Sequence, residues 1–400
     1  MNKQAEPVRV LDGIRVLDLG RFIAGPFCAA LLGDYGADVI RVDRVGCSED
    51  RFLMPVSEQG DGAFFLQANR NKRSISLDIS APEGRRILEA LVKASDVVVA
   101  NMPPATLASL RIDYDSLRQI NPRIILTASS AFGSAPAMRD RVGFDGIGQA
   151  MSGAVHVSGF PDQPVKIMVP MVDFATAMAC AMGTMMALYE RTSSGLGQEV
   201  GSSLMQVALN ISSGTLIEEA VLRVDRKANL NRAPNYGPSD IFRVRDGWLI
   251  TQVIGPAMFK RWARMVGKPE LVDDPRFGDD AARGEHGEAL NAFMSEWCAQ
   301  YTREEALQLL EKARIPAGPV QSPRQVLDDP ALRDSNAFHP VNYPGIPAAV
   351  PLVSPPVSLS RTPPLIERRP PLSGEHTDEL LGEIGYSPAA IADLRKRSIV

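Results

Sequence analysis

Arg15-Val16-Leu17-Asp18-Leu19, then Gly25 to Tyr35, then Val39-Ile40-Arg41-Val42 is the stretch from which the fold follows. The first and last segments are short apolar runs of strand length, and the middle one spaces its apolar residues as a helix does. Strand, helix and strand in so short a span make a βαβ unit, with parallel strands and a right-handed crossover. The alternation continues outward. Ser80-Ala81-Pro82-Glu83 opens a further helix, with Ser80 as its cap, a proline in the first turn and an early acid. Asp96-Val97-Val98-Val99-Ala100 and Ile124-Ile125-Leu126-Thr127 read as the next strands. The expected fold class is α/β, a doubly wound, mostly parallel, Rossmann-like sheet whose ligands sit beyond the carboxyl ends of its strands.

Further along, a long helix is expected from about Asp173 to Arg191, stopped by the turn at Ser193-Ser194-Gly195-Leu196-Gly197, and another from about Ser202 to Leu222. The polar stretch from Asn229 to Asn235 reads as a linker. Beyond it, a strand at Gly247–Thr251 and helical spans at Pro256–Val266 and Glu285–Lys312 predict a second, smaller α+β domain. Prolines crowd the chain from Pro340 to Pro371, which excludes interior helix and predicts an extended arm across a surface. Thr377, followed by Asp378 and Glu379, is the expected cap of a last helix.

The 400 residues are 45% hydrophobic and 22% charged, the balance of a globular protein with a sizeable core. Lys and Arg number 43 against 47 Asp and Glu, a formal charge of −4, which argues against a general nucleic-acid binder. The four cysteines, Cys28, Cys47, Cys180 and Cys298, are scattered and pair at no metal-ligand or redox spacing. Met1 to Pro7 carries no apolar signal core, and the apolar run Phe174–Tyr189 is short of a membrane span, so a cytoplasmic enzyme is expected. The chain has no P-loop, no G-x-G-x-x-G after the first strand and no G-x-S-x-G elbow. Its four histidines are too dispersed for a metal site.

Three features remain. The turn Gly20-Arg21-Phe22-Ile23-Ala24-Gly25-Pro26 has small residues for close approach and a helix start whose N–H groups can receive an anion, though it also reads as an ordinary strand-to-helix turn. Arg41, Arg44, Arg70, Lys72 and Arg73 form a basic cluster suited to a multiply phosphorylated ligand, or equally a solvated surface. Asp173, set among apolar residues at the mouth of an apolar helix, is a helix cap or a reactive carboxylate. The methionines around it are core filler or an acyl pocket.

Leu11 to Leu19, Ala24-Gly25-Pro26 and Asp34 to Val42 resemble the opening of the family III CoA-transferases, which include formyl-CoA, carnitine-CoA and succinyl-CoA-dependent transferases and the α-methylacyl-CoA racemases. The resemblance continues in order through Asn71-Lys72-Arg73, Asn121-Pro122-Arg123, Gly143-Phe144-Asp145 with Gln149 to Gly153, Gly195-Leu196-Gly197-Gln198, Ile315 to Val320 and Gly374 to Glu379. It implies a large CoA-binding domain over 1–205 completed by about 365–400, a small domain over 225–335, linking segments at 206–224 and 336–364, and two chains interlocked in a homodimer. It makes Asp173 the nucleophile and coenzyme A or acyl-CoA the substrate, with no tightly bound cofactor. Ile23 and Ala24 fall where backbone meets CoA, and Arg44 at a phosphate or adenine contact, with Lys72 and Arg73 grouped with it. Leu77 to Ser80 line the nucleotide, Asn101 and Met102 lie near the pantetheine, and Phe144 and Asp145 fall beside the thioester. Two departures stand out. Ser109 replaces an arginine frequent in the family, with Arg111 two residues on, and Thr251 to Pro256 lacks the glycine-rich loop of formyl-CoA transferases.

The expected reaction moves CoA from an acyl-CoA donor to a carboxylic acid through an aspartyl anhydride and an aspartyl-CoA thioester, with Asp173 ionised at neutral pH from its reference value of about 3.9. An intramolecular transferase acting on a dicarboxylyl-CoA is the alternative. A racemase is disfavoured because Phe144 stands where a racemase has its proton-carrying histidine. A CoA-binding protein without activity would form no trappable adduct at Asp173.

Overall fold

The computed structural model describes residues 9–134 and 136–400. Its central sheet comprises β1 (Arg15–Asp18), β2 (Asp38–Asp43), β3 (Lys72–Ser76), β4 (Val97–Ala100), β5 (Ile125–Ser130) and, after a hairpin of β6 (Gly159–Phe160) and β7 (Gln163–Pro164), β8 (Glu199–Ser203). The six strands are ordered β3-β2-β1-β4-β5-β8, and every pair is parallel. The winding direction reverses between β1 and β4, which opens a crevice at the carboxyl ends of the central strands.

Successive strand residues supply opposite faces of the sheet, so both faces are apolar and both are covered. Val16, Val39, Val97 and Ile125 pack on one side against α1 (Ala24–Asp34), whereas Leu17, Ile40, Val98 and Leu126 pack on the other. Next in chain order come α2 (Ala63–Ala68), α3 (Pro82–Lys93), α4 (Pro104–Ser109), α5 (Tyr114–Ile120) and α6 (Asp145–Met151). They are followed by α7 (Met171–Ser194), α8 (Leu204–Ile211) and α9 (Ser213–Leu222). All of α1 is buried. The α7 helix is long and apolar enough to cross a membrane, yet Ala177, Cys180, Ala187 and Leu188 pack into the same core as α1, making it a core helix. Gly195 ends it in the left-handed region at φ 74°.

Three local expectations give way. Ser80 does not cap α3, since Ala81 takes that place and the Ser80 hydroxyl bonds Asp78 at 2.5 Å. The helix expected from Ser202 begins later, because Ser202 belongs to β8 and Ser203 caps α8 by accepting from the Gln206 N–H at 3.0 Å. Thr377 is the first residue of its helix and not the cap, and its Oγ1 accepts from the Ser76 N–H of β3 at 3.1 Å.

The chain packs as two compact units. One takes residues up to Gly153, Ile167–Arg223 and Asp334–Val400; the other takes Ala154–Lys166 and Val224–Arg333. The second unit holds an antiparallel sheet in the order β11-β10-β9, with β9 at Ser239–Val244, β10 at Gly247–Gln252 and β11 at Ala317–Pro319. Its core gathers Phe242, Leu249, Trp262, Phe277, Leu290 and Leu310. The helical span expected from Glu285 to Lys312 is interrupted where Thr302 and Glu305 form a capping box that starts a new helix. In the first unit, β12 (Phe338–Val341) and β13 (Val350–Val353) form a hairpin. The proline-rich arm then runs along the sheet: the Leu365 N–H reaches Asp34 O at 2.8 Å, and the Gly374 N–H reaches Ser74 Oγ at 2.9 Å.

Candidate active site

The β1–α1 turn is the floor of the site. A Cβ on Gly25 would lie 3.0 Å from the Gly20 Cα and 3.1 Å from Asn101 Oδ1, so any larger residue there would press on the turn and on the Asn101 side chain. Asn101, just past β4, accepts the Arg21 N–H on Oδ1 and donates from Nδ2 to the Arg21 carbonyl, both at 2.7 Å. Phe22 adopts φ 63°, and its N–H donates to Asp50 Oδ2 at 3.1 Å. The N–H groups of Ile23 and Ala24, at the open start of α1, have no partner among the described residues. Arg21 folds its guanidinium under the turn onto the carbonyls of Gly20 (2.9 Å) and Val42 (3.2 Å). Its Nε is buried without a partner, and burial pulls its pKa below the usual guanidinium range.

Two members of the basic cluster, Arg41 through Asp50 and Lys72 through Pro26, support this turn from behind. Arg41 grips Asp50 at 2.8 and 2.9 Å and Asp43 at 2.9 Å, Arg51 bonds Asp43 at 2.7 Å, and the Phe65 ring lies against both guanidinia. Burial raises the Asp43 pKa, but the Arg41 and Arg51 charges outweigh it, and the net effect is well below the usual carboxylate range. Lys72 donates to Asp18 and to the Pro26 carbonyl at 2.7 Å, and burial lowers it to about 8. Arg73 pairs with Asp38, Glu379 and Glu383, and Arg70 with Asp34. Lys72 and Arg73 are therefore corrected from ligand contacts to internal ion pairs. Cations on fully buried parallel strands need carboxylates beside them, and the partner acids all lie in the described chain. Arg44 alone of the five lines the cavity; it is exposed and loosely paired with Glu49 at 3.3 Å.

A cavity of about 830 Å³ runs along the carboxyl edge of the sheet. Arg44, Leu77 and Ser80 line it beyond β2 and β3, together with Ser398. Arg21, Phe22, Ile23, Ala24, Asn101 and Met102 line its middle. Ser129 and Ser130 at the end of β5, and Arg141, Gly143, Phe144 and Asp173 beyond it, line its far part. The Phe22 and Phe144 rings meet edge to face at 5.6 Å. A second cavity of about 660 Å³ shares Met102, Ser129 and Ser130 with it. Arg21, Arg141 and the Ser129-Ser130 pair were not expected from the sequence. Arg141 stands two residues before the Gly143-Phe144-Asp145 segment, and the polar end of β5 was the only signal for the serines.

Asp173 lies in the first turn of α7 and caps nothing, since the cap position is Pro170, which offers no side-chain bond. The cap comes from elsewhere. Asp145 Oδ2 accepts the N–H groups of Val172 (2.7 Å) and Asp173 (3.1 Å), and Asp145 Oδ1 is held by Gln149 Nε2. Gln149 Oε1 in turn accepts the Ile167 N–H at 2.9 Å. Asp145 is buried and does not line the cavity, so its expected place as a ligand contact is corrected: its carboxylate is spent on the N–H groups at the start of α7. The Asp173 carboxylate faces the cavity with no hydrogen-bond donor or cation on it among the described residues. Burial, and then the charge of Asp145, raises its pKa to about 7. That lies well above the reference value of about 3.9 on which the expected ionisation of Asp173 rests.

Comparison with known proteins agrees with this geometry. The profile of CoA-transferase family III matches residues 11–377. The succinyl-CoA–D-citramalate CoA-transferase of Chloroflexus aurantiacus is 32% identical over 403 residues, covering 98% of this chain and 99% of the relative. The succinate–glutarate CoA-transferase of Agrobacterium fabrum is 31% identical, with coverage of 94% and 95%. A CAIB/BAIF family protein from Brucella suis superposes with a TM-score of 0.82 at 30% identity, covering 95% of this chain and all of that one. With one profile and full-length relatives both spanning the doubly wound sheet and its edge cavity, the chain belongs to CoA-transferase family III.

Proposed function

We propose that this enzyme moves CoA from an acyl-CoA donor to a dicarboxylic acid through covalent intermediates on Asp173. The observation that carries the reading is the placement of Asp173: an unpaired, half-buried carboxylate at one end of a cavity whose other end offers Arg44 and the polar residues after β3. The nucleotide occupies the Arg44 end, and the thioester lies between Asp173 and the free N–H groups of Ile23 and Ala24. An Asp173 oxygen attacks the thioester carbonyl; the C–S bond breaks, CoA thiolate leaves and a mixed anhydride forms. The thiolate attacks the Asp173 carbonyl, which releases the donor acid and leaves an aspartyl-CoA thioester. The acceptor carboxylate displaces the thiolate, and the thiolate then takes the acceptor acyl group and frees Asp173. The leaving thiol, with a pKa near the 8.5 or so of cysteine, departs as an anion without a dedicated acid. Unpartnered N–H groups at the start of α1 serve the developing oxyanion.

Dicarboxylates are favoured because several relatives are named for them, citramalate and glutarate among them. Racemisation is disfavoured: Phe144 carries no proton, and no histidine lines the cavity among the described residues. CoA is a substrate here and not a resident group. The four cysteines are free, as suits a reducing cytoplasm. A homodimer accounts for the exposed apolar stripe of Met178, Met182, Met186 and Tyr189 on α7, with Ile217 and Val221 on α9, a surface too apolar to leave bare.

Incubation with an acyl-CoA followed by hydroxylamine or borohydride should mark Asp173 by mass spectrometry, and Asp173→Asn should bind CoA yet transfer none. Near-normal turnover by that variant would reject the nucleophile assignment.

A further inference from the structure

We propose that Arg141 binds the distal carboxylate of the dicarboxylic substrate and so sets the preference for diacids over monoacids; this rests on the transferase reading above. Arg141 reaches the cavity from the segment that follows β5, three residues before Phe144 and four before Asp145, whose carboxylate touches the first turn of the Asp173 helix. That places it at the acyl end. The other exposed cation of the cavity, Arg44, follows β2, on the far side of β1 and β4. The phosphates of CoA belong with Arg44, because the sulfur must meet Asp173.

Arg141 is also a cation without an acid. It forms no ion pair among the described residues, whereas its neighbours Arg139 and Asp140 pair with each other at 3.6 Å. The guanidinium is steadied from below by the Phe132 ring, with its Cζ 5.1 Å from the ring centre, and Phe132 itself is buried. The segment is pressed onto the end of β5: a Cβ on Gly143 would come within 2.9 Å of the Ala131 Cβ. Arg141 does not pair with Asp173, whose carboxylate is left with no cation to offset its burial. The cavity therefore presents a nucleophile and a separate guanidinium fork. A molecule with two carboxyl groups spans them, one reacting at Asp173 and the other bound by the fork in the bidentate manner arginine favours. A monocarboxylate of equal length would put a methyl group against a charge.

The test compares kcat/KM for succinate against butyrate and glutarate against valerate as acceptors, and KM for succinyl-CoA against butyryl-CoA as donors, in wild type, Arg141→Gln and Arg141→Lys. A charged hydrogen-bonded pair implies that the diacid-to-monoacid ratio falls at least about tenfold in Arg141→Gln, with Arg141→Lys in between. An unchanged ratio in folded Arg141→Gln overturns the proposal. So does an equal rise in KM for both thioesters, which would assign Arg141 to a CoA phosphate. A wild type that transfers CoA only to monoacids overturns it, and with it the dicarboxylic acceptor, while leaving CoA transfer through Asp173 intact. A wild type that transfers CoA to no acid overturns both.

Discussion

Replacing Asp173 by asparagine removes a buried charge along with a nucleophile, so the variant should be inert and yet more stable than the wild type. In an unfolded chain aspartate ionises near 3.9 or so; in the cavity wall, burial and then Asp145 raise Asp173 to about 7. Between those values the folded chain holds this proton more tightly than the unfolded one. The contribution of Asp173 to stability therefore falls as pH rises through that window, and the full penalty is present above about pH 7. A shift of roughly three units at about 1.36 kcal/mol each amounts to about 4 kcal/mol. Solvent at the cavity mouth screens part of it, leaving about 2 kcal/mol, or roughly 4–8 °C in the unfolding midpoint of a unit this size. The assay is thermal unfolding of both proteins in parallel across this range. Other groups titrate in the window, among them Asp34, which burial raises to about 6 against the pull of Arg70. The wild-type curve alone is therefore mixed, but the difference between the two proteins isolates position 173. That difference should be near zero only around pH 3, below both values, and reach its plateau above about pH 7.5. A difference that does not vary with pH would refute the burial argument, and with it the prediction that wild-type kcat/KM rises with pH through an apparent pKa near 7.

Asp145 is expected to act on the same profile. Asp145→Asn keeps an acceptor for the α7 N–H groups but removes the like charge, so the acid limb of kcat/KM should move down by roughly half a unit to one unit. Asp145→Ala leaves those groups unanswered and should cost about 1–2 kcal/mol in denaturant unfolding. Lys72→Ala strands the Asp18 carboxylate in the core and should destabilise by roughly 3–5 kcal/mol, while the folded fraction binds CoA as before in calorimetry; Arg44→Ala should do the reverse, weakening CoA and changing stability by no more than about 0.5 kcal/mol. Glutamates at Met182 and Met186 together should turn the species seen by analytical ultracentrifugation into a monomer; an unchanged mass would mean that this stripe is not covered by a second copy.

The doubly wound core was legible because its signals are local. Val97-Val98-Val99 and Ile125-Leu126 carry strand and burial at once, and a run apolar at every position is what a strand covered on both faces requires. β8 was not legible, since Glu199-Val200-Gly201-Ser202-Ser203 is half polar and becomes a strand only because β5 pairs with it. The same limit governs the site. Asp173 stood out as an acid among apolar residues, and the Gly20–Gly25 turn as a place of close approach. The fate of the basic cluster depended on partners remote in sequence. Lys72 meets Asp18, and Arg73 meets Glu379 and Glu383, so nothing near residues 70–73 distinguishes an ion pair from a phosphate contact. Asp145 follows the same rule: its carboxylate bonds the helix carrying Asp173, a relation between segments 27 residues apart that no local pattern announces.

The way residues 365–377 dock on β3 bears on biosynthesis. β3 is an outer strand of the sheet, and its free border is occupied by the returning chain: the Asn71 N–H to Arg368 O at 3.0 Å, the His376 N–H to Ser74 O at 2.9 Å and the Ser76 N–H to Thr377 Oγ1 at 3.1 Å. On a translating ribosome, this border stays open while more than two hundred further residues, including the whole second unit, are being made. For that interval the nascent sheet presents an unprotected edge of the kind that recruits stray strands. Chaperone demand should accordingly peak before residue 365 emerges and fall once the tail has closed the border.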